Sequence, residues 1–195
     1  MAATAFTATF TEAPQRALRG DALRNRERVL AAAREAFARD GAEVQMEHIA
    51  RQAGVGVGTL YRNFPTKQAL IGELGKLWLA ECIALADAAL SRPDPREGFE
   101  EFIRSAAQQM ARDNGMCRVL GDFAAQELCP AQFAPFQERT VALLERAKAA
   151  GAIRPEITLT DFQAIMSGLS AAIGQTDNWE LFAEMLLAGL RAPTA

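Results

Sequence analysis

The segment IARQAGVGVGTLYRNFPTKQAL, residues 49–70, decides how the rest of the chain is read. A short helix is expected from about Met46 to Ala53, with Met46, Ile49, Ala50 and Ala53 turned inward. A tight turn at Gly54-Val55 leads to another short helix, Val57 to Phe64, whose Val57, Leu60 and Phe64 share an inner face. Pro65 ends it. Two short helices joined by a glycine turn describe a helix-turn-helix. Ala50 falls where the helices cross and a larger side chain would push them apart, and Gly54 falls where the turn needs positive φ. Gly58, Thr59, Arg62 and Asn63 then face outward with Tyr61 at the edge. These are polar groups on a helix small enough to enter a major groove.

Helical periodicity continues on both sides. Upstream, Val29, Ala33 and Phe37 recur at i, i+4 and i+8, which predicts a helix from about Asp21 that ends at Asp40-Gly41. Residues 1–20 are rich in Thr and Ala and are expected to form a flexible tail. Downstream, Thr66 suits the N-cap of a long helix from Lys67 to about Ala89. Gly72 and Gly75 within it should ease bending or close packing. Phe99, Phe102, Ile103, Ala106 and Met110 mark a fifth helix, closed by Asn114-Gly115. A sixth spans Met116 to Leu128 and a seventh runs from about Ala134 to Gly151. Thr160 with Gln163 resembles a capping box opening an eighth, and Asp177 with Glu180 one opening a ninth. No segment alternates with period two, so the fold class is all-α. The expected organisation is a tail (1–20), a helix-turn-helix unit (21–66) and a second helical domain (67–195).

The chain has 195 residues, 21 basic and 24 acidic, for a net charge of −3. Taken whole, that balance argues against a nucleic-acid partner. Divided at the helix-turn-helix, it does not. Residues 1–67 hold ten basic side chains against seven acidic, a balance of +3; residues 68–195 hold eleven against seventeen, a balance of −6. A basic head on an acidic body suits a protein that meets phosphate at one end. Cys82, Cys117 and Cys129 lack metal-like spacing and suit a reducing compartment; they read as small core residues rather than a redox switch. The first residues do not resemble a signal peptide, and no apolar run reaches membrane-span length, so a cytoplasmic location without membrane association is expected. The single histidine, His48, reads as a surface residue. With one His and no nucleophile, phosphate-loop or zinc motif, the sequence predicts no catalytic residue, no metal and no cofactor.

Residues 49–70 resemble the DNA-binding signature of the TetR family of transcriptional repressors, in Ile49-Ala50, Ala53-Gly54-Val55, Gly58-Thr59-Leu60-Tyr61 and Phe64-Pro65-Thr66-Lys67. The resemblance extends over about Asn25 to Leu74. It implies an N-terminal three-helix DNA-binding unit and a divergent C-terminal domain that binds a small molecule and dimerises. On these residues, the resemblance implies that Gly58, Thr59 and Arg62 approach bases while Tyr61 and Lys67 hold phosphates. Gln45, Val57 and Asn63 complete the candidate DNA-binding set. Gln45, Gly56, Val57 and Asn63 depart from the family's frequent residues; Gln45 is a poorer N-cap, and Gly56-Val57 loses a cap and a phosphate contact.

The second domain is rich in Phe and Met. A helical domain enclosing an apolar or aromatic effector would be lined by such residues with a few polar groups; the candidates are Trp78, Phe102, Met110, Arg118, Asp122, Phe123 and Gln126. The last two helices mix large and small residues, and the resemblance implies that they pack against a second copy. Ile165, Leu169, Ile173, Phe182, Met185 and Leu186 are the candidate dimer contacts. The expected function is a ligand-responsive repressor that binds a pseudo-palindromic double-stranded operator as a homodimer. The alternative is a helical small-molecule- or partner-binding protein that has lost operator binding.

Overall fold

The computed structural model describes the backbone of residues 13–127, 130–176 and 178–192, and the side chains of these residues apart from 13–19 and 121–131. The elements are α1 (Ala13–Asp40), a 3-10 turn (Gly41–Glu43), α2 (Met46–Gln52), α3 (Val57–Asn63), α4 (Lys67–Leu90), α5 (Pro95–Arg112), α6 (Asn114–Glu127), α7 (Pro130–Ala149), α8 (Leu159–Ile173) and α9 (Trp179–Leu190). Among the described residues there is no strand, only an isolated antiparallel bridge between Ile153 and Arg191. The fold is all-α.

Four boundaries differ from the sequence expectation. Helix α1 starts at Ala13, inside the stretch expected to be a tail. Helix α7 starts at Pro130, where a proline at the first helical position costs no hydrogen bond. The capping box of α8 is built from Thr158 and Asp161, not Thr160 and Gln163: Thr158 Oγ1 accepts from the Asp161 N–H at 3.1 Å, and the Asp161 carboxylate accepts from the Thr158 N–H at 2.9 Å. Helix α5 ends at Arg112, so Asn114-Gly115 does not close it but opens α6. A Cβ on Gly115 would lie 2.2 Å from the Ala38 carbonyl oxygen and 2.6 Å from that of Phe37. The glycine is there because α6 presses its first turn against the backbone of α1. Asp177, expected in the cap of α9, lies outside the described residues.

Two apolar cores follow from this packing. In the head, Val29, Phe37, Ile49, Ala50, Leu60 and Leu70 are fully buried, and Met116, Val119 and Leu120 of α6 join them. The body thus supplies part of the head's core. In the body, Phe99 and Phe162 meet with ring centroids 6.0 Å apart, surrounded by Ile103, Leu144, Leu187 and Leu190. Thr66 caps α4, accepting from the Ala69 N–H at 3.0 Å. Gly75 is buried in α4, and a Cβ there would stand 3.3 Å from Leu120, so this glycine serves close packing. Two ion pairs clamp α1 to α4 at separate points, Arg26–Glu73 at 2.8 Å and Arg34–Glu81 at 2.5 Å.

Candidate DNA-contacting face and inner cavity

Local sequence builds the helix-turn-helix. Ala50 is fully buried at the crossing, and Gly54 turns the chain at φ +64°. The Val55 N–H donates to the Ala50 carbonyl at 3.0 Å, closing the turn. Leu60 and Phe64 are buried, and the Arg26 guanidinium stands 4.8 Å over the Phe64 ring, a cation–π contact that seats α3 against α1.

The outer face of α3 presents Gly58, Tyr61 and Arg62. Val57 belongs with them and not with the inner face: it is 41% exposed, because the first residue of so short a helix lies beyond the reach of α2. Thr59 and Asn63 are half-buried, and the Asn63 amide donates to the Thr59 carbonyl at 2.8 Å. Arg62 makes no ion pair among the described residues, whereas Arg26, Arg34 and Arg39 are all paired with carboxylates. The Tyr61 hydroxyl donates to Glu47 of α2 at 3.1 Å, and that hydrogen bond to a carboxylate raises the phenol above its usual range. Gln45 precedes α2 but gives it no side-chain cap; its amide donates to the Glu43 carbonyl at 3.1 Å. Lys67 donates to the Ala42 carbonyl and lies 5.8 Å over the Phe37 ring, so it also ties the start of α4 to the end of α1. His48 lies at the head's surface between Arg51 at 3.0 Å and Arg39 at 3.4 Å.

The body holds a partly open cavity of about 350 Å³ between α4, α5, α6, α7 and α8. Trp78, Phe102 and Met110 line it, as the sequence candidates proposed together. Arg118 does not. It is exposed on α6, and its guanidinium reaches to 3.7 Å of where a Cβ on Gly41 would sit, so it faces the head. The side chains of Asp122, Phe123 and Gln126 lie outside the described residues. Reasoning from sequence missed Cys82, Gln109, Thr140, Phe162 and Met166 in the wall. Gln109 did leave a signal: it falls seven residues after Phe102, a polar residue on the apolar stripe of α5.

Behind Gln109 stands an ionic cluster. Arg34 of α1 donates to Glu81 of α4 at 2.5 and 2.7 Å and to Asp113, the residue closing α5, at 3.0 and 2.6 Å. The hydrogen bonds from Arg34 hold the Glu81 carboxyl below its ordinary value. Burial pushes Asp113 up, but Arg34 and Arg112 outweigh it and leave that carboxyl low as well. Burial raises the Cys82 thiol to about 12 and the Cys117 thiol to about 11, so both are protonated and unreactive at neutral pH. Cys129 lies outside the described residues.

On α8 and α9, Leu169 and Ile173 are buried with Ala107 and Ala183, in the chain's own core and not on an outer face. Ile165, Phe182 and Leu186 are half-buried against the core. Only Met185, of the six sequence candidates, is open, at 61% exposure, with Leu181 beside it at 50%. Two of the six candidates, Leu169 and Ile173, thus serve the chain's own core.

Residues 29–74 match the family model "Bacterial regulatory proteins, tetR family", and residues 94–192 match "Transcriptional regulator SbtR-like, C-terminal domain". Solved structures agree over almost their whole length. A TetR regulatory protein from Mycobacterium vanbaalenii is 32% identical, with 90% of this chain and 99% of that chain covered at a TM-score of 0.65. The chain belongs to the TetR family. The TetR regulator SCO0520 from Streptomyces coelicolor is similarly close, at 34% identity, 87% and 99% coverage and a TM-score of 0.65. Among curated relatives, an HTH-type transcriptional regulator of Staphylococcus aureus is 43% identical over 54 residues, covering 27% of this chain and 29% of that relative. This TetR-family chain is therefore a helix-turn-helix DNA-binding transcriptional regulator. Among its described residues, no helix is long and apolar enough to cross a membrane, and no cluster of three or more His, Cys, Asp or Glu side chains could hold a metal ion.

Proposed function

We propose that the protein is a ligand-responsive repressor that binds a pseudo-palindromic operator as a homodimer and is released by a small, apolar or aromatic effector. One observation carries this reading. The helix that forms a wall of the apolar cavity, α4, also bears the head at its N-terminus and is clamped to α1 by two ion pairs. Arg62 and Gly58 face the bases, with Thr59 at their side. Tyr61 and Lys67 hold phosphates, with Gln45, Val57 and Asn63 at the margins of the contact. An effector that binds better to a state with α4 displaced weakens operator binding by linkage. Dimerisation uses the outer face of α8 and α9 around Leu181 and Met185, and sets two recognition helices one helical turn of DNA apart.

The test is binding to the DNA upstream of the protein's own gene across a salt series. Wild type should prefer one site over random duplex, with affinity falling steeply as salt rises. Arg62→Ala should cost about 1–3 kcal/mol at that site and relax its base preference. Equal, weak binding of wild type and variant to every duplex would leave the protein as a ligand- or partner-binding relative without an operator.

A further inference from the structure

We propose that the cavity recognises an uncharged aromatic molecule bearing a hydroxyl group, and that Gln109 reads the hydroxyl as a hydrogen-bond acceptor. The inference rests on the cavity being the effector site and goes further by fixing the effector's chemistry.

The wall is mostly apolar and, among the described residues, uncharged; Gln137, Thr140, Gln163, Ser167 and Ser170 are its other polar side chains beside Gln109. Phe102, Phe133, Phe136, Phe162, Met110 and Met166 supply aromatic and thioether surface. A carboxylate or ammonium placed there would lose its water with no counter-charge among the described residues of the wall, at a cost of several kcal/mol. The volume of about 350 Å³ has room for two fused rings with one substituent.

The polar requirement comes from the orientation of one amide. Gln109 is 7% exposed, so its two ends must each meet a partner. Its Nε2 donates to Glu81 Oε2 at 2.9 Å. Glu81 is ionised by Arg34 and can only accept, so the nitrogen end must face it and the amide cannot be turned round. The oxygen end is thereby fixed on the cavity side. There Oε1 receives only the Cys82 thiol, at 3.9 Å, a weak donor at long range. Oε1 is a buried acceptor with room for a strong donor, which a hydroxyl supplies. The Trp78 indole N–H, in the same wall, is buried with no nitrogen or oxygen acceptor among the described residues; its one neighbour of acceptor type is the Cys117 sulfur, a weak one. The oxygen of the same functional group is the acceptor type that this N–H lacks. An ether or a bare hydrocarbon offers Oε1 nothing, and an anion repels it.

The probes are 2-naphthol, naphthalene and 2-naphthoate, measured by equilibrium dialysis against the full chain, wild type and Gln109→Met. Wild type should bind 2-naphthol about tenfold tighter than naphthalene, the effect of one buried hydrogen bond, with 2-naphthoate weakest. Gln109→Met should bring 2-naphthol and naphthalene within about threefold of each other by weakening the naphthol alone. If wild type binds all three alike, or naphthoate best, the hydroxyl assignment is wrong while the cavity remains a ligand site. If none binds, both the assignment and the effector role of the cavity fall. Retention of the naphthol preference by Gln109→Met would remove Gln109 from recognition. Operator binding without ligand, measured beside these, reports on the repressor reading independently.

Discussion

Gly115 carries a constraint that involves no unusual backbone angle. Its missing Cβ makes room for the carbonyls of Phe37 and Ala38, so Gly115→Ala forces α6 away from α1 or bends both. The expected cost is about 1–3 kcal/mol, as for other overpacked sites. It should appear as a lower urea midpoint at unchanged denaturant slope. Because α6 also feeds Met116 and Leu120 into the head's core, the same variant should loosen amide-exchange protection in the head before the body. Ala50 and Gly54 were legible in the sequence because their roles are local: a helix crossing and a turn four residues apart. Gly115 was not, because Asn-Gly is a common helix stop and the reason for the glycine lies 77 residues upstream, at Ala38.

At the scale of elements, the Arg34 cluster joins α1, α4 and the end of α5 in one polar knot. Glu81 and Asp113 both titrate below their ordinary values of about 4.5 and 3.8. Their contribution to stability is fully present above those values and is lost as pH falls through the lower, folded-state ones. Wild-type stability should therefore decline more between pH 5 and pH 3 than that of Arg34→Met, in urea titrations at each pH. At pH 7 the variant should be less stable by about 1–3 kcal/mol, mostly through Asp113 left buried with only the longer contact to the exposed Arg112; the pair with the more exposed Glu81 adds little. The helices themselves were readable from 3.6-residue periodicity. Their outer faces were harder. On α8 and α9 apolar residues occupy nearly the whole circumference, so the stripe containing Leu169 and Ile173 could not be assigned to core or interface from spacing. Arg118 was misjudged for a related reason: α6 packs against both head and body, and sequence does not say which end of it each side chain serves.

For the whole molecule, the open apolar pair Leu181 and Met185 makes a specific demand. If α8 and α9 meet a second copy there, Leu181→Glu with Met185→Glu places like charges across a twofold axis. Sedimentation should then show a monomer where wild type is a dimer, with folding intact because neither side chain is in the core. Operator affinity should drop sharply, since each head alone grips one half-site.

The two-point clamp between α1 and α4 has a geometric result. With 24 residues at ~1.5 Å each, α4 is an arm about 36 Å long. Pinned to α1 through Arg26–Glu73 and Arg34–Glu81, the arm cannot swing without taking the three helices of the head along. The cavity meets α4 between Gly75 and Leu85, so the lever from there to Lys67 is about 27 Å at most; a tilt of about 7° carries its head end through roughly 3 Å, close to the rise of one base pair in a site whose halves lie about 34 Å apart. If the cavity is the effector site, a ligand that tilts α4 by that much beside Gln109 would shift the head out of register with the groove.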